Sequence, residues 1–344
     1  MSLRAMNRTK CLRNLVTVAL LLCATAKASA QMLINGAGAT FPYPIYSKWF
    51  DQYTQVDPSV RFNYQSIGSG GGQKQILAQT VDFGASDGPM SNENLAKAPA
   101  KILHIPTVAG AVVIIYNLPN NPKLKLDGPS VAGIYQGKIK KWNDSQIASQ
   151  NPGVDLPNQD IIVVHRSDGS GTTSIFTSYL SAVSYDWQES VGKNTSVNWP
   201  AGLGGKGNEG VAGQVKQLSS SIGYVELIYA LQNSLSIADL KNADGQYITP
   251  TLDSVTAALG TAKVPNDLRF SMVNAPGAGA YPIAGVTWLL VYEKQKDAAK
   301  GKKLVDFLNW ALTEGQKVAP SLNYAPLPAS LQERVLQRIK EIQY

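Results

Sequence analysis

Arg166, Asp168, Ser170 and Thr172 fall between the β-branched run Ile161-Ile162-Val163-Val164 and the helically spaced residues Ile175, Phe176, Tyr179 and Leu180. The run reads as a buried strand and the spaced residues as the start of a helix, which makes Asp168-Gly169-Ser170-Gly171 the turn between them. A helix start carries amides with no intrahelical partner and the positive end of the backbone dipole. Ser170 and Thr172 add hydroxyls, and Arg166 adds a rigid fork of donors, steered and partly offset by Asp168. Groups that all donate hydrogen bonds suit one task, the seating of a small oxyanion. The same residues also spell a tight turn closed by a Ser or Thr helix cap, and the stretch alone leaves both readings open.

Two further loops repeat the pattern. Gly36-Ala37-Gly38-Ala39-Thr40-Phe41-Pro42 precedes Ile45, Tyr46, Trp49, Phe50 and Tyr53 at helical spacing. Gly68-Ser69-Gly70-Gly71-Gly72 follows a strand expected over Val60–Tyr64 and opens another helix, with Ser69 as its expected cap. Between them in role stands Val81-Asp82-Phe83-Gly84-Ala85-Ser86-Asp87, a strand that ends on a carboxylate. A carboxylate is out of place beside an anion unless the anion carries a proton. Asp87 would then accept that proton from phosphate and repel sulfate, which has none at neutral pH.

The elements that must hold these loops alternate between strand and helix. Lys101–Thr107 and Ala111–Tyr116 read as two strands around Pro106 and Gly110, and Ile222–Val225 and Val286–Tyr292 as two more. Gly202–Gly210 is a fourth glycine loop, with a helix expected over Val211–Leu218. Leu304–Leu312 and Leu331–Ile342 carry amphipathic spacing. This order predicts an α/β fold with largely parallel sheets, in which ligands bind beyond the carboxyl ends of strands.

Residues 1–30 have the form of an export leader: basic Arg4, Arg8, Lys10 and Arg13, an apolar stretch from Leu15 to Ala26, and Ala28-Ser29-Ala30 as a cleavage signal. The apolar run falls short of the ~20 residues that span a bilayer. Leu22 stands where a lipoprotein signal ending at Cys23 would have a small residue. Both cysteines, Cys11 and Cys23, belong to the leader, so the mature chain would rely on its core and not on a disulfide. Removing the leader lowers a formal charge of +7 to +2, which withdraws the electrostatic case for nucleic-acid or membrane-surface binding. The basic cluster Lys138-Ile139-Lys140-Lys141-Trp142 then reads as a solvated face.

Enzyme motifs fail on inspection. Gly72-Gln73-Lys74 and Gly205-Lys206-Gly207 miss the Walker A spacing, and Asp168 occupies the first glycine position of a nucleophile elbow around Ser170. Gly36 and Gly38 are followed by Phe41 where a dinucleotide loop needs glycine. Only two histidines, His104 and His165, are present, without cysteines or clustered carboxylates, so both read as structural and no metal site is expected. A hydrolase built on Ser170 would lack a base.

Gly36–Pro42, Gly68-Ser69, Val81–Asp87, Lys138–Trp142, Arg166–Thr172, Trp199–Asn208 and Ile222–Glu226 together resemble, in order along nearly the whole mature chain, the periplasmic phosphate-binding proteins (PstS family) of ABC phosphate importers. Ser66, Gly70 and Gly88 depart from the residues usual in these loops, Gly70 at the cost of a hydroxyl. The resemblance implies a type II periplasmic binding protein fold, with two α/β lobes joined by two crossover strands: 31–107 plus 283–344 as lobe I and 108–282 as an inserted lobe II. It implies a site in which Thr40, Phe41 and Ser69 bind phosphate, Asp87 accepts its proton, and Arg166, Ser170, Gly171 and Thr172 close on it from the other lobe. It further implies a non-enzymatic monomer in the periplasm that needs no cofactor. Its partners would be inorganic phosphate (HPO4 2− or H2PO4 −) and the importer's permease and ATPase. A binding or sensory protein for another oxyanion such as sulfate is the alternative.

Overall fold

The computed structural model describes residues 31–344, and the expected leader lies outside the described residues. Eight strands form the path of a ten-stranded sheet. They are β1 (Met32–Gly38), β2 (Val60–Ser66), β3 (Phe83–Ser86), β4 (Ile102–Asn117), β5 (Ile162–Arg166), β6 (Leu203–Gly205), β7 (Ser221–Glu226) and β8 (Ala284–Tyr292). Their order is β2-β1-β3-β8-β4-β7-β5-β6, and Ser236–Ile237 and Ala325–Pro326 also pair with β4. The helices that bear on the site are α1 (Tyr43–Val56), α2 (Ser69–Leu77), α3 (Gly171–Val183), α4 (Gly207–Gln217) and α5 (Leu227–Gln232).

The sheet is mixed where the sequence predicts a largely parallel one. Its flanks are parallel, β1 with β2 and β3, and β5 with β6 and β7. Its centre is antiparallel, β8 with β3 and β4, and β4 with β7. The strand–helix alternation reports on neighbours along the chain, whereas the central pairings join strands far apart in it.

A single strand of 16 residues, β4, replaces the two strands expected around Pro106 and Gly110. Its first part pairs with β8 and its second with β7, so one strand serves both halves of the sheet. The break signalled by Pro106 appears as a shift in register instead: Val108 lies opposite Thr287 and Pro106 opposite Trp288, with Thr107 left over. Thr107 still satisfies its polar groups. Its carbonyl accepts from Gln316 Nε2 at 2.9 Å, and its hydroxyl meets the Tyr46 hydroxyl at 2.8 Å. Gly110 is glycine because a Cβ there would strike the Phe41 ring.

Aromatic packing holds each flank. Phe50, Phe62 and Phe307 form one cluster, in which Phe50 and Phe62 stack at 4.9 Å between ring centroids and Phe307 tilts against Phe62 at 4.4 Å. Phe176, Tyr224 and Trp199 form another, in which Phe176 and Tyr224 stack at 4.2 Å. Trp142 of the basic cluster is buried, while Lys138, Lys140 and Lys141 are exposed, as a solvated face requires. Truncating fully buried Phe307 to alanine should cost about 3–5 kcal/mol of stability. Urea unfolding of Phe307→Ala measures this, and a loss below about 1 kcal/mol would mean that the cluster repacks freely.

Candidate functional site

Three glycine loops and one strand end meet at the middle of the sheet. From one side come Thr40 and Phe41, just before α1, together with Ser69 at the start of α2 and Asp87 just past β3. From the other come Arg166 at the end of β5, and Ser170, Gly171 and Thr172 at the start of α3. All of these side chains are almost wholly buried. A Cβ on Gly171 would run into both the Asp87 carboxylate and the Ser69 hydroxyl, so the two sides touch there.

Ser69 does not cap α2. Gly68 holds that position at φ 85°, and a side chain there would collide with Asp168. The Ser69 hydroxyl instead accepts from the Asp87 amide at 3.2 Å and donates to its Oδ2 at 3.5 Å. Ser170 does cap α3, its Oγ accepting from the Thr173 amide at 3.0 Å. A capping oxygen that accepts keeps its own proton to donate, so the cap and the anion seat are compatible uses of one hydroxyl.

Arg166 is fixed from behind. Its Nε and Nη2 donate to Asp168 at 2.8 and 2.6 Å, which leaves Nη1 facing Thr172 Oγ1 at 3.4 Å. Burial alone would raise the Asp168 carboxyl, but hydrogen bonds and charge from Arg166 hold it below the usual carboxylate range. Asp87 lies the other way. Burial pushes its carboxyl up to about 7, against the Thr287 hydroxyl at 2.8 Å from Oδ1, the Arg166 charge and Ser69. Thr287 reaches Asp87 from the point where the β4–β8 register shifts, so the irregularity aims a hydroxyl at the carboxylate.

The two sides are latched together. The Gly70 amide donates to the Gly169 carbonyl at 2.8 Å, and a Cβ on either glycine would come within 3.0 Å of the other's Cα. Gly70 thus removes a hydroxyl where a close backbone approach is made. Tyr229 donates to the Thr40 carbonyl and Tyr324 to the Phe41 carbonyl, each at 2.6 Å. Both tyrosines hold the loop before α1 by its carbonyl oxygens. An open cleft of about 890 Å³, lined by Ser174, Ile175, Thr195, Phe270 and Trp288 among others, reaches Asp87 from the side.

A protein-family model described as a PBP superfamily domain matches residues 24–314. A phosphate-binding protein PstS from Xylella fastidiosa (strain Temecula1) is 49% identical over 315 residues, covering 90% of this chain and 86% of that protein. This chain belongs to the PstS family of the PBP superfamily. The PstS of Pasteurella multocida (strain Pm70) is 46% identical over 327 residues, covering 94% of this chain and 93% of its own. The solved structure of a phosphate-binding protein from Stenotrophomonas maltophilia, 23% identical, shares the fold at a TM-score of 0.69 over 89% of this chain and 94% of that one. The fold is the two-lobed α/β architecture of these binding proteins.

Within this PstS-family chain, the eight residues that the sequence singled out converge, and four others join them unannounced. Asn208 bridges Thr40 and Thr172, Thr287 holds Asp87, and Tyr229 and Tyr324 hold the carbonyls before α1. Asn208 was hidden because α4 begins at Gly207, before the expected start at Val211, which puts this residue in its first turn. Thr287 carried one signal, as the hydroxyl in an otherwise apolar strand. The two histidines are structural: His104 Nε2 accepts from the Met90 amide at 3.1 Å, and His165 stacks on Trp199 at 4.8 Å. Among the described residues, no three His, Cys, Asp or Glu side chains gather as a metal site would require. No described helix is long and apolar enough to cross a membrane.

Asp87 sets a pH dependence whose sign is fixed. Its folded pKa of about 7 lies above the ordinary 3.8, so its contribution to stability is full below the ordinary value and is lost as pH rises toward 7. Thermal melting of anion-free protein between pH 4 and 8 should therefore show a decline that Asp87→Asn flattens. Parallel curves for the two proteins would contradict the buried setting.

Proposed function

We propose that this chain is the phosphate-binding subunit of an ABC-type phosphate import system. It captures inorganic phosphate between lobe I (31–107 plus 283–344) and lobe II (108–282), and delivers it to a membrane permease driven by an ATPase. It works as a monomer in the periplasm, after loss of its leader, and catalyses no reaction. The relatives named as phosphate-binding proteins support the ligand class. The observation that carries the reading is Asp87: a buried carboxylate inside a ring of donors favours an anion that brings its own proton, as phosphate does and sulfate does not.

Thr40, Phe41 and Ser69 bind phosphate from lobe I beside Asp87, while Arg166, Ser170, Gly171 and Thr172 complete the shell from lobe II. The ligand bridges the lobes, so it favours the closed arrangement by its differential affinity for it. The hinge is the boundary itself, where Val108–Ala111 of β4 run beside Ala284–Thr287 of β8. Turnover at Ser170 finds no support, because its oxygen caps α3 and neither histidine faces it: His104 accepts from Met90, and His165 Nδ1 lies 3.0 Å from the Arg166 carbonyl.

Titration calorimetry at neutral pH should give tight one-to-one binding of phosphate and no heat with sulfate. Binding of sulfate in preference to phosphate would refute the ligand assignment while leaving the fold intact. Ser69→Ala, which removes a hydroxyl that caps nothing, should weaken phosphate by about 1.5–3 kcal/mol, the range for a hydrogen bond to a charged group. In competition binding, Asp87→Asn should admit sulfate.

A further inference from the structure

Asn208 is fully buried, and every polar atom of its side chain is engaged. Its Oδ1 accepts from the Glu226 amide at 3.0 Å, while its Nδ2 donates to Thr40 Oγ1 at 2.7 Å and to Thr172 Oγ1 at 3.2 Å. A backbone amide can only donate, so the bond from Glu226 fixes which end of the carboxamide is oxygen. The amino group must then face the two threonines and give each of them one proton.

Each threonine oxygen also receives a second donor. Thr40 Oγ1 takes the Asn208 backbone amide at 3.3 Å, and Thr172 Oγ1 takes Arg166 Nη1 at 3.4 Å. A hydroxyl oxygen has two acceptor positions. With both filled, neither threonine can accept from a ligand, and each has its proton left to give.

We propose that Asn208 is a specificity-determining positioning residue, which makes the Thr40 and Thr172 hydroxyls obligate donors toward the bound anion and ties the two lobes through one carboxamide. The inference rests on the phosphate reading and deepens it. With the threonines unable to accept, a protonated ligand oxygen turns to Asp87, a stronger acceptor than Ser69 or Ser170, whose oxygens each already accept one bond, and this favours one orientation of phosphate. Because the donors are set before the ligand arrives, affinity is not spent on turning hydroxyls around.

Calorimetry with inorganic phosphate on wild type, Asn208→Ala, Asn208→Asp, Thr40→Val and the Asn208→Ala/Thr40→Val double variant tests this. Asn208→Ala should lose about tenfold in affinity, and Asn208→Asp more, since a carboxylate in the same place takes protons from the threonines instead of giving them. If Asn208 acts through the Thr40 hydroxyl, its removal should cost markedly less in the Thr40→Val background. Additive losses would assign Asn208 a purely structural part and overturn the proposal, as would affinity within twofold of wild type in Asn208→Ala. Should that variant fail to give the wild-type circular dichroism spectrum, Asn208→Ser is read against the same two criteria. A wild-type protein that gives no phosphate heat would fell the phosphate reading and this inference with it, and that titration is read separately from the variants.

Discussion

A carboxylate buried beside hydrogen-bond donors constrains everything around it. Removing such a group from water is costly unless its oxygens find partners, and Asp87 finds them in Thr287 and Ser69. These partners do not cancel the cost, since burial still pushes the carboxyl up to about 7. The rest of the site compensates by geometry. The register shift opposite Pro106 delivers Thr287, the start of α2 delivers Ser69, and glycine at 171 lets the start of α3 press against Ser69 and the Asp87 carboxylate.

Around that centre the polar groups work in two tiers. Groups that point inward are donors, and groups behind them hold those donors in place: Asp168 behind Arg166, Tyr229 and Tyr324 behind the loop before α1, Asn208 behind two threonines. Donors held from behind in this way have little rotamer freedom left to lose. The Gly70 amide meets the Gly169 carbonyl through backbone atoms alone, so this one contact orders no side chain.

How much of this was legible in the sequence follows from distance along the chain. Arg166, Ser170, Gly171 and Thr172 share one strand–turn–helix unit, so their being neighbours in space was legible from spacing, while a capped turn and an anion seat both stayed open. Asp87 was legible as a charge at the end of an apolar strand. Asn208 was not, and Thr287 showed only as a hydroxyl in an apolar strand, because Thr40 and Asp87 lie 168 and 200 residues away from them and no local pattern encodes such a pairing. The same limit hid the antiparallel centre of the sheet, while Pro106 and Gly110, read as breaks, proved to be an irregularity and a close approach within one strand. Gly70 was legible as a missing hydroxyl, and only the facing Gly169 explains it.

The crossing of the chain between its halves also orders the birth of the molecule. β8 lies between β3 and β4, so the sheet cannot close until residues 284–292 have joined it. Residues 118–283 stand between β4 and β8 in the chain, so β3 waits for a neighbour some 200 residues downstream of Asp87. Contacts of such sequence separation form slowly. The side of the sheet that carries β1 to β3 therefore completes late, and Asp87 gains its Thr287 partner only when β8 is in place.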